Sequence, residues 1–471
     1  MSDVYVLGVD MIKFGRFPER TVPDLGSEAA LLALDDAGLS IGDMEAFYCG
    51  NLGQANAMVG QRILQEIGQT GIPVVNCSNA CATGATAFRE AWTSIKAGLY
   101  DVVLAVGVEQ MGTGLLGGAG GGAGIPKEGL LGSGTMPAVF AEAGMEHARQ
   151  YGTTFEQFAK ISVKNHHHST MNPKARYQIE TPLEEVMNAE MISYPNTKLM
   201  CSVNVDGAAA AVLVSEKKAK ELGMQRAVRI KASVMTSDPY QERDLVMPDV
   251  NSCTRKAAAE AYEMAGLDSK DIDLVELHDC FATAEMLHYE NLGLCGDGEA
   301  GKLIDEGEVE LGGRIPVNVS GGLLSKGHPL GATGIANIYE VCTHLRGEAG
   351  KRQVENAKIG LTHVIGLGSA CGIHILRKSK MLIGVVSDTH NNLLNIDKII
   401  EIFNEKKVES VIHTGDITKA HSLEKFSSLN CEFFAVYGNN DRNEFGLDKV
   451  AIDCNFIIQD PPMTLEGTIE K

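Results

Sequence analysis

The chain has 471 residues, 44% of them hydrophobic and 22% charged, a composition typical of a globular protein with room for two or three domains. Its formal net charge of -20 argues against non-specific binding to nucleic acid or to an anionic membrane surface. No apolar run is long enough to span a bilayer, the N-terminus lacks the basic start of a secretion signal, and the 11 cysteines are scattered without paired spacing, so we expect a cytoplasmic protein.

An internal repeat organises the first 379 residues. Residues 37–45 (AGLSIGDME) are echoed by residues 265–273 (AGLDSKDID), and each copy predicts a helix end, a glycine stop, a short acidic turn and then a strand. Glycine suits the left-handed position that closes such a helix. The repeat therefore predicts two related α/β halves, residues 1–222 and 223–379.

Each half also carries a reactive side chain at a strand-to-helix turn. In the first half, an extended segment at 72–76 leads to Cys81 and to a helix over about 85–99. In the second half, a strand at 315–319 leads through a glycine-rich loop to His328 and a helix. A thiol ahead of a helix N-terminus faces unpaired N–H groups, which favours the thiolate. A cysteine with a histidine is the minimal set for covalent acyl transfer.

Residues 112–199 are expected to form an inserted loop domain in the first half. The glycines of this segment do not follow a strand in a G-x-G-x-x-G frame, so a dinucleotide site is not expected. His166, His167 and His168 are adjacent, and three adjacent imidazoles cannot all face one metal ion on regular structure. The insertion is better interpreted as a cover for a substrate.

The composition restarts at Met381. A strand at 382–386, a helix at 395–404 and a strand at 410–412 follow in order, which is a complete β-α-β unit. We therefore expect residues 381–471 to be a separate domain joined by gene fusion.

Three ordered motifs resemble the fingerprints of the thiolase superfamily: NACATG at 79–84, HDCF at 278–281 and GHPLGATG at 327–334. The resemblance covers essentially all of residues 1–379, and the second motif matches the sterol-carrier-protein-type and archaeal thiolases. It implies a five-layer αβαβα fold with an inserted loop domain. It also implies that Cys81 takes an acyl group from acyl-CoA while His328 accepts the thiol proton, with no cofactor required.

Carbon–carbon bond formation needs a second base, because the methyl carbon of acetyl-CoA must lose a proton. In the branch that shares the HDCF motif this base is the motif cysteine, here Cys280. Other thiolases place it near the C-terminus, where this chain has Val364. Asp279 is expected to be a structural acceptor for nearby backbone N–H groups.

The resemblance also implies two anion sites. His278 and His328 would donate hydrogen bonds to the thioester oxygen of the enolate. The backbone N–H groups of Cys81 and Gly366 would form the oxyanion hole for the acyl-enzyme.

The implied function is that of an acetyl-CoA C-acetyltransferase, which condenses two acetyl-CoA molecules to acetoacetyl-CoA and CoA and feeds the mevalonate route. Degradative cleavage of longer 3-ketoacyl-CoA, a decarboxylating ketoacyl synthase, and a non-catalytic acyl-CoA-binding scaffold are the alternatives. The resemblance implies a homodimer or homotetramer. It also implies an association with 3-hydroxy-3-methylglutaryl-CoA synthase through a small OB-fold protein.

The last 91 residues resemble the first three motifs of calcineurin-like metallophosphoesterases. The matching residues, Asp388, His390, Asp416 and Asn439, imply a site for two divalent metal ions with Asp416 bridging them. Because the family completes its site with later histidines and none follows His421, we expect a partial αβ sandwich with weak metal binding and no hydrolysis.

Overall fold

The computed structural model describes residues 3–112, 136–222, 224, 226–240, 250–367, 369–379, 383–406, 408, 410–442 and 444–463. The chain forms two compact units, an N-terminal unit of Met1–Lys378 and a C-terminal unit of Ser379–Lys471. Among the described residues, no helix combines the length and the apolar character needed to cross a membrane.

The N-terminal unit contains eleven described strands. They are β1 (Val4–Met11), β2 (Ala46–Gly50), β3 (Val74–Cys77), β4 (Val102–Glu109), β5 (Met191–Ser193), β6 (Asn196–Thr197), β7 (Gly207–Ser215), β8 (Val228–Thr236), β9 (Leu274–Glu276), β10 (Ile359–Gly366) and β11 (Ala370–Lys378). Its described α-helices are α1 (Val22–Ala37), α2 (Val59–Ile67), α3 (Thr83–Lys96), α4 (Met136–Tyr151), α5 (Phe155–Ser169), α6 (Leu183–Asn188), α7 (Glu216–Leu222), α8 (Ser252–Ala265), α9 (Ala282–Asn291), α10 (Ala300–Asp305) and α11 (Thr333–Arg346).

The strand order shows the internal repeat directly. One sheet runs β3-β2-β4-β7-β1 in the first half and continues as β8-β11-β10-β9 in the second. In both halves the parallel pairs lie at the outer end, β2 with β3 and β4 in one and β9 with β10 in the other. In the first half β7 then pairs antiparallel with both β4 and β1, and in the second half β11 pairs antiparallel with both β10 and β8. The halves are joined where β1 pairs antiparallel with β8.

The expected strand at 315–319 is wrong. In its place Val317 makes an isolated parallel bridge to Val275, at the position that β3 occupies in the first half. Pro316 has no N–H to donate to a ladder, and Asn318 has a left-handed φ of 53°, so the segment cannot continue as a strand.

The predicted helix stops are confirmed. Gly38 and Gly266 both close their helices with φ of 65°, and each is followed by a short 3₁₀ turn with a capping box, Ile41–Asp43 or Ser269–Asp271. The same sequence pattern therefore gives the same local structure in both halves.

Helices α3 and α11 lie back to back between the two halves of the sheet. Their buried faces share one core cluster that includes Phe88, Ala91, Ile335 and Ile338. Helices α1 and α2 pack on the outer side of the first half, and α5, α8 and α9 on the outer side of the second. This arrangement gives the five layers of the expected αβαβα fold.

Glycines allow α3 and α11 to approach each other at their N-termini. A Cβ on Gly84 would lie 2.7 Å from the Gly331 carbonyl oxygen, and one on Gly334 would overlap the Ala85 backbone. This close approach brings the Cys81 turn and the His328 turn together.

The described part of the insertion is mostly helical, and its three adjacent histidines bond to three different groups. His166 Nδ1 lies 2.8 Å from the Ser162 carbonyl oxygen, His167 Nδ1 lies 2.8 Å from Glu180 Oε1, and His168 Nδ1 lies 3.0 Å from the Asn318 carbonyl oxygen. They do not converge on one point. The glycine-dense residues 113–135 lie outside the described part of the chain.

In the described residues of the C-terminal unit, four strands form a parallel sheet in sequential order. Its strands are β12 (Ile383–Val386), β13 (Ser410–His413), β14 (Glu432–Val436) and β15 (Ile457–Gln459), and its helices are α12 (Leu393–Lys406), α13 (Ala420–Lys425) and α14 (Leu447–Asp453). Val411, Phe433 and Ala435 are buried against these helices. Val385 and Ile457 alternate to the other face and stay exposed.

Candidate active site

The nucleophile candidate Cys81 lies in a tight turn between β3 and α3. Ala80, directly before it, has a left-handed φ of 47°, an uncommon conformation for a residue with a Cβ. The Thr83 hydroxyl holds the turn by donating to the Ala80 carbonyl at 2.6 Å and accepting from the Asn79 N–H at 2.8 Å. Cys81 itself is only 3% exposed.

His328 follows a single π-helical turn, Gly322–Lys326, and its ring is fixed by Thr333. The Thr333 hydroxyl donates its one proton to the Pro329 carbonyl at 3.1 Å, and its oxygen lies 2.7 Å from His328 Nδ1. We assign the hydroxyl proton to the Pro329 carbonyl, so that the Thr333 oxygen accepts from His328 Nδ1–H. The tautomer assigned in this way leaves a lone pair on His328 Nε2.

His278 and Cys280 lie in the turn between β9 and α9. His278 Nε2 is 3.4 Å from His328 Nε2, and because the latter has a lone pair, His278 Nε2 carries a proton. His278 Nδ1 is then unprotonated. This nitrogen is buried and has no hydrogen-bond partner in the described structure.

Asp279, between these two residues, ties their turn to the π-helical turn. Its carboxylate accepts from the backbone N–H groups of Leu323 at 2.7 Å and Leu324 at 3.2 Å, and from Asn165 Nδ2 at 2.8 Å. Asp279 is therefore a structural acceptor for backbone N–H groups, as expected.

One cavity brings the predicted residues together. Cys81, His278, Cys280 and His328 all line it, so the two sulfurs and both imidazoles open into the same space. Most of the remaining wall is apolar, and it consists of Met111, Met136, Phe140, Phe281, Leu330 and Leu367, with Ser202 and Asn204.

Gly366, the second oxyanion-hole candidate, lies against the Cys81 turn. A Cβ on Gly366 would lie 2.9 Å from the Asn79 carbonyl oxygen and 3.2 Å from the Ala80 Cβ. Val364 packs in the same small cluster as Cys81, where it can offer no proton acceptor.

Burial dominates the electrostatics of the cavity. It raises the pKa of Cys81 to about 12 and lowers the pKa of His328 to about 3. The pKa of Cys280 lies well above its ordinary value and that of His278 well below, again chiefly through burial. The site is therefore neutral, with both thiols protonated and both imidazoles uncharged.

The expected thiolate at Cys81 is wrong for this resting site. A rise in pKa from 9.0 to about 12 corresponds to about 4 kcal/mol against the thiolate. A helix dipole supplies only about 0.3–1 kcal/mol in its favour. Desolvation therefore outweighs the N-terminal position of the thiol.

In the C-terminal unit, three of the four predicted metal ligands converge. Ligand atoms of Asp388, His390 and Asp416 all lie within 4.8 Å of one another. The three residues have left-handed φ values of 52°, 44° and 62°, a concentration of backbone strain that is typical of functional loops. Carboxylate and imidazole donors suit a divalent ion, and these three fit one.

The fourth predicted ligand, Asn439, is exposed, and the neighbouring Asn440 contacts Asp416 instead. Asn440 donates to Asp416 from its backbone N–H at 3.0 Å and from Nδ2 at 2.8 Å. Asp441 accepts from the N–H groups of Gly438 and Asp416, which tightens the turn and directs Asn440 toward the carboxylate.

Sequence reasoning missed Thr333 as the partner of His328. The signal was present, since the hydroxyl follows the histidine by five residues within the quoted motif. Its role became visible only when the structure placed the two side chains in contact.

Comparisons with known proteins agree with this geometry. The thiolase N-terminal domain model matches residues 4–190 and the thiolase C-terminal domain-like model residues 234–378. Human "Sterol carrier protein 2" is 43% identical over 385 residues, covering 78% of this chain and 70% of its own length. "Acetyl-CoA acetyltransferase" of Methanothermobacter thermautotrophicus is 40% identical over 392 residues, covering 80% and 100%.

Two solved structures share the fold. The "Ltp2-ChsH2(DUF35) aldolase" matches with a TM-score of 0.70 at 24% identity, over 80% of this chain and 98% of its own. The acetyl-CoA acetyltransferase from Syntrophomonas wolfei matches with a TM-score of 0.62 at 21% identity, over 81% and 100%.

Fold, cavity and relatives together define a CoA-dependent acyltransferase, whose substrates are CoA thioesters and whose chemistry needs no cofactor. The chain belongs to the thiolase family. Residues 381–459 match the calcineurin-like phosphoesterase superfamily domain, so the C-terminal unit adds a second, phosphoesterase-like fold.

Proposed function

We propose that this protein is an acetyl-CoA C-acetyltransferase that condenses two acetyl-CoA molecules into acetoacetyl-CoA and CoA. The observation that carries the proposal is the thiol of Cys280 in the same cavity as Cys81 and His328, where a second base is needed. The archaeal relative adds support by its name. The product would feed the mevalonate route, with 3-hydroxy-3-methylglutaryl-CoA synthase as partner through a small OB-fold protein.

The first half-reaction acylates Cys81. His328 Nε2, held as an acceptor by Thr333, takes the thiol proton as the sulfur attacks the thioester carbonyl. Because the thiol and the imidazole are both neutral at rest, this transfer accompanies the attack and does not precede it. The backbone N–H groups of Cys81 and Gly366 stabilise the tetrahedral oxyanion. His328 then returns the proton to the departing CoA sulfur.

The second half-reaction forms the carbon–carbon bond. Cys280 and His328 are also neutral at rest, so Cys280 passes its proton to His328 while its sulfur removes a proton from the methyl group of the second acetyl-CoA. The enolate oxygen accepts from His278 Nε2–H and from the protonated His328. The enolate carbon attacks the acyl-enzyme, and Cys81 leaves as a thiolate that recovers its proton from His328. Every proton is thereby returned.

Cleavage of longer 3-ketoacyl-CoA is a second candidate, favoured by the apolar cavity wall. Met111, Met136, Phe140, Leu330 and Leu367 line the cavity, and an apolar lining of this kind suits a hydrocarbon acyl chain. Mass spectrometry of the intact chain after exposure to acetyl-CoA or to a longer 3-ketoacyl-CoA identifies the acyl group that Cys81 accepts more rapidly.

Incubation with acetyl-CoA in deuterated water tests the proposal. We expect deuterium to enter the methyl group, the exchange to vanish in Cys280→Ala, and acylation of Cys81 to persist in that variant. A decarboxylating synthase or a scaffold gives no exchange in either protein. Exchange that survives in Cys280→Ala would refute the assignment of the base.

A further inference from the structure

Three side chains of the cavity carry ligand atoms that are close enough together to bind a metal ion. Cys81 Sγ and the nearest ring nitrogens of His278 and His328 all lie within 4.8 Å of one another. The three side chains are almost fully buried, and their donor atoms face one cavity.

The spacing of the two imidazoles fits tetrahedral zinc. Two nitrogens that each lie about 2.0–2.1 Å from a tetrahedral zinc ion are about 3.4 Å apart. The distance between His278 Nε2 and His328 Nε2 is 3.4 Å. At a zinc–sulfur distance of about 2.3 Å the sulfur of a tetrahedral site lies about 3.6 Å from each nitrogen. Because the donor atoms lie within 4.8 Å of one another, the Cys81 sulfur needs to approach by at most about 1.2 Å to complete the third ligand position.

Cys81, His278 and His328 are called the trio below. The hydrogen bonds around them favour metal binding by one imidazole nitrogen and disfavour it by the other. Thr333 already accepts the Nδ1 proton of His328, which leaves Nε2 free to coordinate. His278 must move its proton from Nε2 to Nδ1, and Nδ1 has no acceptor in the described structure. Metal affinity is therefore lower than in a site with two supported imidazoles, by about 10–100-fold.

We propose that Cys81, His278 and His328 form an inhibitory zinc site, with the fourth coordination position open to the cavity. Binding replaces the thiol proton of Cys81, which is released to solvent, with a sulfur–zinc bond. A sulfur held in this way cannot attack a thioester, and an acetylated Cys81 cannot bind the ion. Zinc and the acyl group therefore exclude each other.

Cobalt(II) is the probe that tests the site in the full chain, because tetrahedral cobalt bound to sulfur shows a near-ultraviolet charge-transfer band and intense visible bands. We expect one such cobalt ion per chain. The sulfur band should be absent in Cys81→Ala, and the affinity should fall at least about tenfold in His328→Gln. The C-terminal cluster of Asp388, His390 and Asp416 contains no sulfur and cannot give this band.

Cys280→Ala is the matched control, since it removes a thiol from the same cavity but outside the trio. The band should persist in this variant and disappear when acetyl-CoA acetylates the wild-type chain beforehand. No band in the wild type, a band that survives in Cys81→Ala, or a band lost in Cys280→Ala would each overturn the proposal. The block of acylation by zinc depends on the proposed role of Cys81, whereas the cobalt spectrum does not.

Discussion

Replacing Thr333 with valine tests the proton arrangement on which the proposed mechanism depends. Valine keeps the shape of the side chain and removes the hydroxyl that fixes His328 Nδ1 at 2.7 Å. In the transition state of acylation His328 becomes positively charged, and a hydrogen bond from a charged donor is worth about 1.5–3 kcal/mol. At about 1.4 kcal/mol per factor of ten, kcat should fall about 10- to 150-fold.

The assay is the rate of CoA release in a single acylation turnover, measured over a range of acetyl-CoA concentrations. We expect KM to change little, because the Thr333 hydroxyl is buried and its partners are the His328 ring and the Pro329 carbonyl. Thr333→Ser keeps a hydroxyl and should recover most of the rate. A kcat for Thr333→Val within about threefold of wild type would refute the assigned tautomer.

Thr343→Val provides the structural control on the same helix. Thr343 is also buried, and its hydroxyl donates to the Tyr339 carbonyl at 2.8 Å. Its removal should cost comparable stability, about 1 kcal/mol, without a change in kcat. An equal loss of activity in both variants would assign the effect to helix α11 as a whole.

Three further results are expected. Burial lowers the pKa of His328 to about 3, so the unfolded chain binds a proton on this imidazole more readily than the folded chain does. The free energy of unfolding should therefore decline as pH falls from about 6.5 toward 3, by up to about 1.4 kcal/mol per pH unit for each such histidine. Equal denaturation midpoints at pH 7.5 and 5 would contradict this. Gly334→Ala forces a Cβ into the Ala85 backbone and should destabilise the N-terminal unit by several kcal/mol, whereas Gly42→Ala, where the nearest atom is 3.5 Å away, should stay within about 0.5 kcal/mol in thermal unfolding. The chain should not hydrolyse a chromogenic phosphodiester with manganese present, and turnover that disappears in Asp416→Ala would show that the C-terminal unit is active.

Local sequence patterns predicted the fold well, because neighbouring residues specify the same structural elements in both halves. The glycine stops at Gly38 and Gly266 and the turn from β3 through Cys81 into α3 depend on neighbouring residues, and they appear as expected. The strand expected at 315–319 does not form, because Pro316 has no N–H to donate and Asn318 adopts a left-handed φ.

The site could be predicted only as a set of residues, because its electrostatics depend on the surroundings. The motifs indicated Cys81, Cys280 and His328, and all three line one cavity. Protonation was beyond the sequence, since the Cys81 thiol is neutral through burial among groups that are distant along the chain. The contact between Asp416 and Asn440 likewise depends on how tightly one turn closes.

The burial that keeps the Cys81 sulfur protonated has a consequence for the life of the protein between turnovers. Peroxides and alkylating electrophiles react with thiolates far faster than with thiols. A sulfur that is 3% exposed and becomes anionic only as a thioester engages it offers such reagents little opportunity. In the proposed mechanism the reactivity of Cys81 is thus confined to the turnover itself, and the cost is a barrier that the bound substrate must help to lower.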